Sequence, residues 1–507
     1  MKKKYLLLIP FLLFITSCDK DDNTTPSLKE QTPAPVLVDL HEENKEIAKD
    51  GDIVKIFHLN DTHGSIEHLP SVGEPGMSRI AGYINSKRQE EQTNVVLVSS
   101  GDMFQGSLDS NINKGRLMID IMKEMKFDAM TIGNHEFDWG VDVLAESAAY
   151  AMEEEDSNWR FPFLAGNILN PENDYDFGYL STTFNRGPAR VGIIGATDSS
   201  VYKSIDANIV EGYKFDSQTK MVVEEAKRLR QNGTDLVIYS THTGASSIDK
   251  KIIEEVDVVF TGHRHIDSVE SQTNSKGKII PIIESGSNGT LIGEVNFIYN
   301  ASQNNFQVST YQNIQLEKPY IIDEEVEAIY NAYLDAPVKD GIVEADSLRQ
   351  LKNDPIGEIT SDSEYVLNNK INVNNVRKMF LQAQLDRFKD SDGVIASFYN
   401  ASRSEWSVGP ITYSDIYKAF PFDNATIIVE ADGQQLKKWS TASVYLEGYT
   451  SANISSLEVY KVVTSTYIIN NYESYNYKRI VREESELFQR HIFYEAFKNV
   501  SGPNPWG

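Results

Sequence analysis

Cysteine is almost absent from this chain of 507 residues, in which Cys18 is the only one. No disulfide can form within a chain that has one cysteine, so an oxidising compartment would add no cross-link to the fold. The stability of the protein must therefore come from packed cores, and a chain of this length has ample material for two to four domains.

Basic residues are also scarce, because the chain has 48 Lys and Arg against 74 Asp and Glu, a formal net charge of −26. This charge argues against a nucleic-acid polymer as partner, since such binding needs a broad basic face. An anionic substrate would instead need local positive charge, such as bound metal ions or a few well-placed arginines.

Long apolar runs are missing except at the N-terminus, where "YLLLIPFLLFI" follows Lys2–Lys4. That run is short for a membrane span, and its order of basic, apolar and small residues is typical of a secretory signal. "TSC" (16–18) resembles a bacterial lipobox, which predicts a signal peptide over 1–17 and a lipid anchor on Cys18. A plain signal peptide with an incidental cysteine is the alternative.

The polar, acidic stretch over 18–51 predicts a flexible tether between the lipid anchor and the folded protein. The expected location is therefore extracytoplasmic, with the protein held to a membrane through Cys18. The outer membrane or the cell surface is favoured, and the periplasm is the alternative.

From residue 52 onward, apolar strand patterns alternate with helical patterns. Six β-branched runs bounded by turn residues predict strands: "IVKIFHL", "NVVLVSS", "DAMTI", "RVGIIGA", "DLVIYS" and "VDVVFT". "KGRLMIDIMKEMK" and "DSQTKMVVEEAKRLRQNG" predict helices between them. This alternation predicts an α/β fold. We expect one domain over 52–318, a linker helix within 319–340 and a second, smaller α/β domain over 341–507.

Five short polar motifs each follow a predicted strand, and five of the nine histidines lie in them. The motifs are "NDTHG" (60–64), "SSGDMFQG" (99–106), "TIGNHEFDWG" (131–140), "YSTHTG" (239–244) and "TGHRH" (261–265). Ligands of open α/β sheets bind beyond the carboxyl ends of the strands, so five separate segments can converge there. One such histidine is more often structural than a ligand, but five motifs in order favour a site.

The motifs carry imidazoles, carboxylates and an amide, which together suit a pair of divalent metal ions. Asp61 and His63 are two residues apart on what we expect to be an extended segment, so they should point to the same side. His263 and His265 should do likewise. The carboxylate of Asp102 can bridge two metal ions with its two oxygens.

The series D-x-H, G-D, G-N-H-E, H and G-H-x-H resembles the calcineurin-like metallophosphoesterases. "GNHEFDWG", together with the C-terminal half, is similar to the 5'-nucleotidase branch of that family, and the resemblance extends over residues 52–500. It implies a four-layer α/β/β/α sandwich for the first domain and two divalent metal ions as cofactors. The resemblance leaves Zn, Mn, Fe and Co open as the metal.

The resemblance also implies a role for each motif residue. The metal ligands would be Asp61, His63 and His265 for one ion, Asn134, His242 and His263 for the other, and Asp102 between both. His135 would be the catalytic imidazole, which stabilises the transition state and protonates the leaving oxygen. Asp138 would orient that imidazole, and Glu136 would support the site structurally.

In this family the C-terminal domain binds the nucleoside, and its motifs are altered here. "AFPFDN" matches the family well, although ordinary packing is the alternative explanation. "FYNASR" lacks the family's glycines, and "YIINNYESY" has a Tyr in place of a stacking Phe and a Glu in place of the ribose-binding Asp. The substrate-binding residues that the resemblance implies are Arg403, Phe422, Tyr467 and Glu473.

The expected function is therefore a dimetal phosphoester hydrolase of 5'-nucleotidase type, acting as a monomer or dimer on nucleotides or other small phosphoesters. Within the same chemistry, a 2',3'-cyclic nucleotide or a UDP-sugar is the alternative substrate. In a different class, the alternative is a surface lipoprotein that binds a ligand. A pure binding protein has no use for the His135–Asp138 pair, and for this reason we favour the enzyme.

Overall fold

The computed structural model describes residues 34–41, 43–154, 159–172, 174–399, 402–439, 445–447, 454–471 and 477–498. The predicted signal peptide, Cys18 and Glu473 lie outside these residues. Within the described ranges, no helix combines the length and the apolar character that a membrane crossing requires.

Two β-sheets form the centre of the N-terminal part. Its strands are β1 (Val36–Leu37), β2 (Ile53–Leu59), β3 (Thr93–Ser99), β4 (Ala129–Thr131), β5 (Phe163–Leu164), β6 (Ile168–Leu169), β7 (Ser181–Arg186), β8 (Ala189–Thr197), β9 (Lys214–Phe215), β10 (Leu236–His242), β11 (Val258–Phe260), β12 (Asp267–Thr273), β13 (Ile279–Ser285), β14 (Ile292–Asn300) and β15 (Asn305–Ile314). One sheet has the order β15-β14-β2-β3-β4-β5 and the other the order β1-β7-β8-β10-β11-β13-β12, while β6 pairs with β9. The runs β2 to β5 and β8-β10-β11-β13 are parallel.

Helices cover the outer faces of both sheets. They are α1 (Met77–Arg88), α2 (Leu108–Asn111), α3 (Arg116–Glu124), α4 (Val141–Ala151), α5 (Gln218–Gln231) and α6 (Lys250–Ile253). One buried cluster between the sheets joins Val54 of β2 to Val191 of β8. A second cluster joins α1 and α3 to the six-stranded sheet, and a third joins α5 and α6 to the other sheet. The predicted α/β/β/α layering is confirmed.

The strand β1 corrects part of the tether prediction. It pairs in parallel with Ser181 and Thr182 of β7, and Leu40 just after it is buried. The apolar run "PVLVDL" explains this, because burying its side chains against the sheet offsets the entropy cost of ordering the backbone. A flexible tether therefore does not extend over residues 34–41.

The helix α7 (Glu324–Leu334) connects the N-terminal part to a second α/β part. The strands of the second part are β16 (Val338–Asp340), β17 (Val343–Ala345), β18 (Pro355–Ile359), β19 (Lys370–Ile371), β20 (Val394–Tyr399), β21 (Trp406–Ser407), β22 (Gly409–Thr412), β23 (Ala425–Asp432), β24 (Tyr445–Glu447), β25 (Val459–Ser465) and β26 (Arg479–Phe488). Its helices are α8 (Leu348–Asn353), α9 (Val373–Asp392), α10 (Tyr413–Ala419), α11 (Gly433–Trp439), α12 (Thr466–Asn471) and α13 (Gln489–Lys498). A five-stranded sheet of order β24-β20-β25-β23-β26 is its largest sheet.

A buried ion pair links β16 to α13 in this second part. Arg490 donates from Nε and Nη2 to the two carboxylate oxygens of Asp340, at 2.7 and 2.9 Å, and the Tyr413 hydroxyl donates to Oδ2 at 2.6 Å. Burial opposes the charged carboxylate, but these donors outweigh it and hold the pKa of Asp340 well below its usual range. The ionised form of Asp340 therefore stabilises the fold.

We expect Asp340→Asn to lower the free energy of unfolding by up to about 3 kcal/mol at pH 7, because the buried Arg490 charge loses its bidentate partner and keeps the ion pair with Asp423. The lowered folded-state pKa means that the stabilisation by Asp340 is fully present above the unfolded value of about 4 and is lost as the pH falls below it. Urea denaturation at pH 7 and pH 3 measures this, and the difference between wild type and variant should be smaller at pH 3. The control is Glu344→Gln in the exposed pair with Lys339, which should leave the midpoint unchanged. Equal effects of the two variants would contradict the prediction.

Candidate active site

The five polar motifs meet because the strands before them end side by side. The first three motifs follow β2, β3 and β4, which are adjacent and parallel in the six-stranded sheet. His242 is the last residue of β10, and "TGHRH" follows the neighbouring β11 in the other sheet. The carboxyl ends of both sheets thus supply the site, as the motif order predicts.

A left-handed backbone conformation at five positions directs these side chains toward one another. The φ angles are 49° at Asp61, 48° at His63, 53° at Asp102, 76° at His263 and 55° at His265. Positive φ is uncommon for residues other than glycine, and such strained positions cluster at functional sites. The prediction of extended segments at 61–63 and 263–265 is therefore wrong, because left-handed turns rather than strand alternation bring these side chains together.

One group of donor atoms is formed by Asp61, His63 and His265, whose ligand atoms lie within 4.8 Å of one another. His265 Nε2 is 3.2 Å from Asp61 Oδ1 and 3.1 Å from His63 Nε2. The Nδ1–H of His63 donates to the carbonyl of Gln105 at 2.8 Å, which turns Nε2 toward the centre of the group. Oδ2 of Asp61 accepts from the Asn60 amide at 2.7 Å, whereas the buried Oδ1 has no hydrogen-bond partner among the described residues.

A second group is formed by Asp102, His242 and His263, with Asn134 beside them. Asp102 Oδ2 lies 3.1 Å from His242 Nε2. Asn134 Oδ1 lies 3.2 Å from the same Nε2 and 2.9 Å from His263 Nδ1. The Nδ1–H of His242 donates to the carbonyl of Ser100 at 2.7 Å, so its Nε2 is directed at this group.

These two groups fit a pair of divalent metal ions. Imidazole nitrogens with carboxylate and amide oxygens are suitable donors, and an ion in the first group would compensate the buried Oδ1 of Asp61. Burial opposes protonation of His242, but the carboxylates of Asp102 and Asp61 outweigh it and raise the pKa of this imidazole to about 10. The site thus attracts positive charge. The seven residues predicted as ligands are the ones brought together, and their ligand roles stay a prediction.

His135 and Asp138 lie beside the two groups, on a 3-10 turn that follows β4. The Nδ1–H of His135 donates to Asp138 Oδ2 at 2.8 Å, and its backbone N–H donates to Asp102 Oδ1 at 2.8 Å. Burial disfavours the imidazolium, but the carboxylates of Asp138 and Asp102 outweigh it and raise the pKa of His135 to about 9. The structure pairs the two side chains as expected, and their catalytic roles stay a prediction.

Glu136 holds the loops of the site from behind. Its Oε2 accepts the backbone N–H groups of Asp102 and Gly133 at 2.9 and 2.7 Å, and its Oε1 accepts that of Met103 at 2.8 Å. The side chain is buried and contributes no atom to the two donor groups. This arrangement supports the structural role that the sequence suggests.

Glu284 is a supporting residue that none of the five sequence motifs reveals. Its Oε1 accepts the backbone N–H groups of Arg264 at 2.9 Å and Ile266 at 3.3 Å, on both sides of His265. Burial is the main cause that raises the pKa of Glu284 to about 7. The signal for it is an acid inside the apolar run "IIPIIES", since a buried carboxylate needs specific partners.

A cavity of about 530 Å³ opens beside the donor groups and is lined by both parts of the chain. Arg403, Phe422 and Tyr467 line it as predicted, while Glu473 lies outside the described residues. The ring of Phe422 is 5.9 Å from that of His135 at an interplanar angle of 21°, and the guanidinium of Arg403 is 4.9 Å from the Phe422 ring. These contacts bring the predicted substrate-binding residues next to the predicted catalytic pair.

Hydrogen bonds fix the position of Phe422. The carbonyl of Pro421 accepts from the side-chain amides of Gln105 at 3.3 Å and Asn111 at 3.1 Å, both in the N-terminal part. Arg490 donates to the carbonyl of Phe422 at 3.1 Å. The loop that carries Phe422 is therefore held from both sides of the cavity.

We expect Glu136→Gln to weaken Mn²⁺ binding by about 10- to 100-fold, as changes behind a metal ligand commonly do. A glutamine amide has one acceptor oxygen, so it cannot accept backbone N–H groups at both of its terminal atoms as the carboxylate does. The loops that carry Asp102 and Asn134 therefore lose part of their support. Calorimetric titration of the purified protein with Mn²⁺ measures the affinity. Glu146→Gln, an exposed position on α4, is the matched control. Equal affinity in both variants would contradict the role of Glu136.

Similar proteins carry related activities in their names. The chain is 28% identical over 274 residues to a snake venom 5'-nucleotidase from Naja atra, which covers 48% of this chain and 50% of the relative. It is 25% identical over 427 residues to a 2',3'-cyclic-nucleotide 2'-phosphodiesterase/3'-nucleotidase from Yersinia enterocolitica. This match covers 73% of this chain and 63% of the relative. The chain spans about half the length of the venom relatives that it matches.

A solved structure shares the fold. The 5'-nucleotidase precursor from Thermus thermophilus has a TM-score of 0.68 and 19% sequence identity, and the match covers 88% of this chain and 96% of that one. The similarity supports the arrangement of an N-terminal sandwich followed by a smaller α/β part.

Two family models match separate parts of the sequence. Residues 54–267 match the calcineurin-like phosphoesterases, and this range contains all seven donor residues with His135 and Asp138. Residues 355–455 match the C-terminal domain of 5'-nucleotidases, and this range contains Arg403 and Phe422. The chain therefore combines a calcineurin-like phosphoesterase domain with a region that matches the C-terminal domain of 5'-nucleotidases.

Proposed function

We propose that this protein is a dimetal phosphoester hydrolase that releases phosphate from nucleotides in the manner of a 5'-nucleotidase. The observation that carries the proposal is the convergence of two donor groups with the His135–Asp138 pair beside one cavity. The family match and the names of the relatives support nucleotides as the substrate class.

Two bound divalent ions would acidify a water molecule and neutralise charge on the phosphoryl oxygens. The chain's own residues would position the reacting groups around them. Asp138 holds the Nδ1–H of His135, so the imidazole presents Nε2 to the cavity, where it can donate a proton to the leaving oxygen. Asp102 accepts the backbone N–H of His135 and so fixes this imidazole relative to both donor groups.

Arg403 would bind the phosphoryl group of a nucleotide, and Phe422 would bind its base. A guanidinium can donate two hydrogen bonds to a phosphoryl group, and none of the described carboxylates forms an ion pair with Arg403. The ring of Phe422 offers an apolar face to a base. Their place next to His135 supports a substrate whose phosphate lies at the donor groups and whose base lies against the second part.

We also propose an extracytoplasmic location with a lipid anchor on Cys18. Support comes from the basic, apolar and small-residue order of the first 18 residues. The relative from Naja atra is by its name a venom protein, which agrees with a role outside the cytoplasm.

We expect the purified protein to hydrolyse p-nitrophenyl phosphate with Mn²⁺ or Zn²⁺ and to lose this turnover with a chelator. His135→Asn should lower kcat by about 100-fold or more, because general acid catalysis is lost, while calorimetry still shows metal binding. The same substitution at His41, which stacks on Trp159, is the matched control and should keep the wild-type kcat. Unchanged turnover in His135→Asn or in the chelated protein would contradict the proposed function.

We expect Phe422→Ala to raise KM for adenosine monophosphate about tenfold, since stacking on a base contributes roughly 1–3 kcal/mol. The KM for glycerol phosphate, which has no base, should change much less. The same assay with adenosine monophosphate, 2',3'-cyclic adenosine monophosphate and UDP-glucose ranks the three candidate substrate classes by kcat/KM. An equal rise in KM for glycerol phosphate would contradict stacking of a base on Phe422.

A further inference from the structure

The segment between β8 and β9 contributes a wall of the cavity to which no sequence motif assigns a role. Lys203, Ser204, Asp206 and Ile209 from this segment line the same cavity as His135 and Arg403. Lys203 lies in a 3-10 turn, Val201–Ser204, and its side chain is exposed. A cation from the N-terminal part therefore borders the place where the substrate is expected.

The backbone beneath Lys203 is well anchored. Val201 and Ile205 on either side of the exposed residues are both 2% exposed. The carboxylate of Asp198 accepts from the backbone N–H and the hydroxyl of Ser200, at 2.7 and 2.6 Å. The turn is thus fixed to the core, and the lysine side chain extends from a defined base.

Lys203 and Arg403 are the two lysine or arginine side chains among the described residues that line this cavity. Arg403 lies near the reacting end, because its guanidinium is 4.9 Å from the ring of Phe422, which is 5.9 Å from that of His135. Lys203 instead reaches the cavity from the segment between β8 and β9 of the N-terminal part. The two cations therefore reach the cavity from different parts of the chain.

Lys203 has no carboxylate partner within ion-pair distance in the part of the chain that the structure describes. Asp206, on the same segment, accepts the backbone N–H of Asn208 at 3.0 Å instead. In a chain of net charge −26, an ammonium left without a counter-ion inside a substrate cavity is available to an anionic ligand.

The phosphoryl group that reacts already has the donor groups, His135 and Arg403 to bind it. A phosphomonoester with an uncharged leaving alcohol would leave Lys203 without a partner. A substrate whose leaving part carries a second anionic group would satisfy both cations, because charge-assisted hydrogen bonds to phosphate or carboxylate are the stronger ones.

We propose that Lys203 determines specificity by binding an anionic group, a phosphate or a carboxylate, in the leaving part of the substrate. The inference rests on the proposed function and names its substrate class. A nucleoside diphosphate, cleaved at its terminal phosphate, and a phosphoester of a hydroxy acid both meet this description.

The test compares kcat/KM for adenosine diphosphate, adenosine monophosphate and phosphoserine in the full chain with Mn²⁺. In Lys203→Met, the ratio of kcat/KM for the diphosphate to that for the monophosphate should fall about tenfold, the effect of one charged hydrogen bond. Lys203→Arg should keep the ratio within about twofold, because it keeps the charge. Lys220→Met, at an 85% exposed lysine on α5, is the matched control and should keep it as well.

The phosphoserine arm separates the two sources of charge. If Lys203→Met also lowers the ratio of kcat/KM for phosphoserine to that for the monophosphate, the site binds carboxylates as well as phosphates. If that ratio does not change, the site binds phosphates only. An unchanged diphosphate ratio in Lys203→Met, or an equal loss in Lys203→Arg, would overturn the inference.

A binding measurement keeps this test separate from the proposed function. Calorimetry with a non-hydrolysable methylene analogue of adenosine diphosphate should show about tenfold weaker binding in Lys203→Met than in Lys203→Arg. If the wild type turned over no phosphoester but this difference were present, the proposed function would fail and the site at Lys203 would stand. Equal binding by the two variants would overturn the site.

Discussion

The structure depends on bringing buried carboxylates and imidazoles together at one point. Asp61 and Asp102 have side chains that are 0% and 1% exposed, and they lie 3.2 and 3.1 Å from an imidazole nitrogen. Burying an ionised carboxylate costs several kcal/mol unless opposite charge and hydrogen bonds compensate it. Bound cations are the natural compensation, and the loops around them are arranged to keep these donors facing one another.

Rigid surroundings are needed to hold that arrangement. Left-handed backbone costs about 1–2 kcal/mol per residue other than glycine, so the five strained positions together cost roughly 5–10 kcal/mol. That sum is comparable to the whole stability of a typical domain. It can be offset because the loops start from parallel strands of two packed sheets, and because Glu136 and Glu284 bind their backbone N–H groups.

Local patterns and motif order predict much of the fold and of the candidate site from sequence. The features that the sequence does not predict arise from non-local contacts. The predicted strand "IVKIFHL" coincides with β2, since β-branched and apolar residues favour a strand and turn residues bound it on both sides. The pairing of β1 with β7 was missed because its partner lies more than 140 residues away. The left-handed turns at Asp61 and His63 were missed because contacts across the site impose them: their backbone N–H groups donate to the carbonyls of Gly101 and Asp102.

The residues proposed for hydrolysis and those proposed for specificity are therefore held in place differently in this chain. The donor residues and His135 come from strand ends of one sandwich, and bound cations would restrict the donor positions to residue types that can act as ligands. Phe422, Arg403 and Lys203 reach the same cavity only through contacts between distant segments, such as the bonds from Gln105 and Asn111 to Pro421. In the proposed roles, replacing one of these residues would alter the fit of a leaving group without exposing a buried charge. The divergence of "FYNASR" and "YIINNYESY" beside an intact "GNHEFDWG" follows from that difference in constraint.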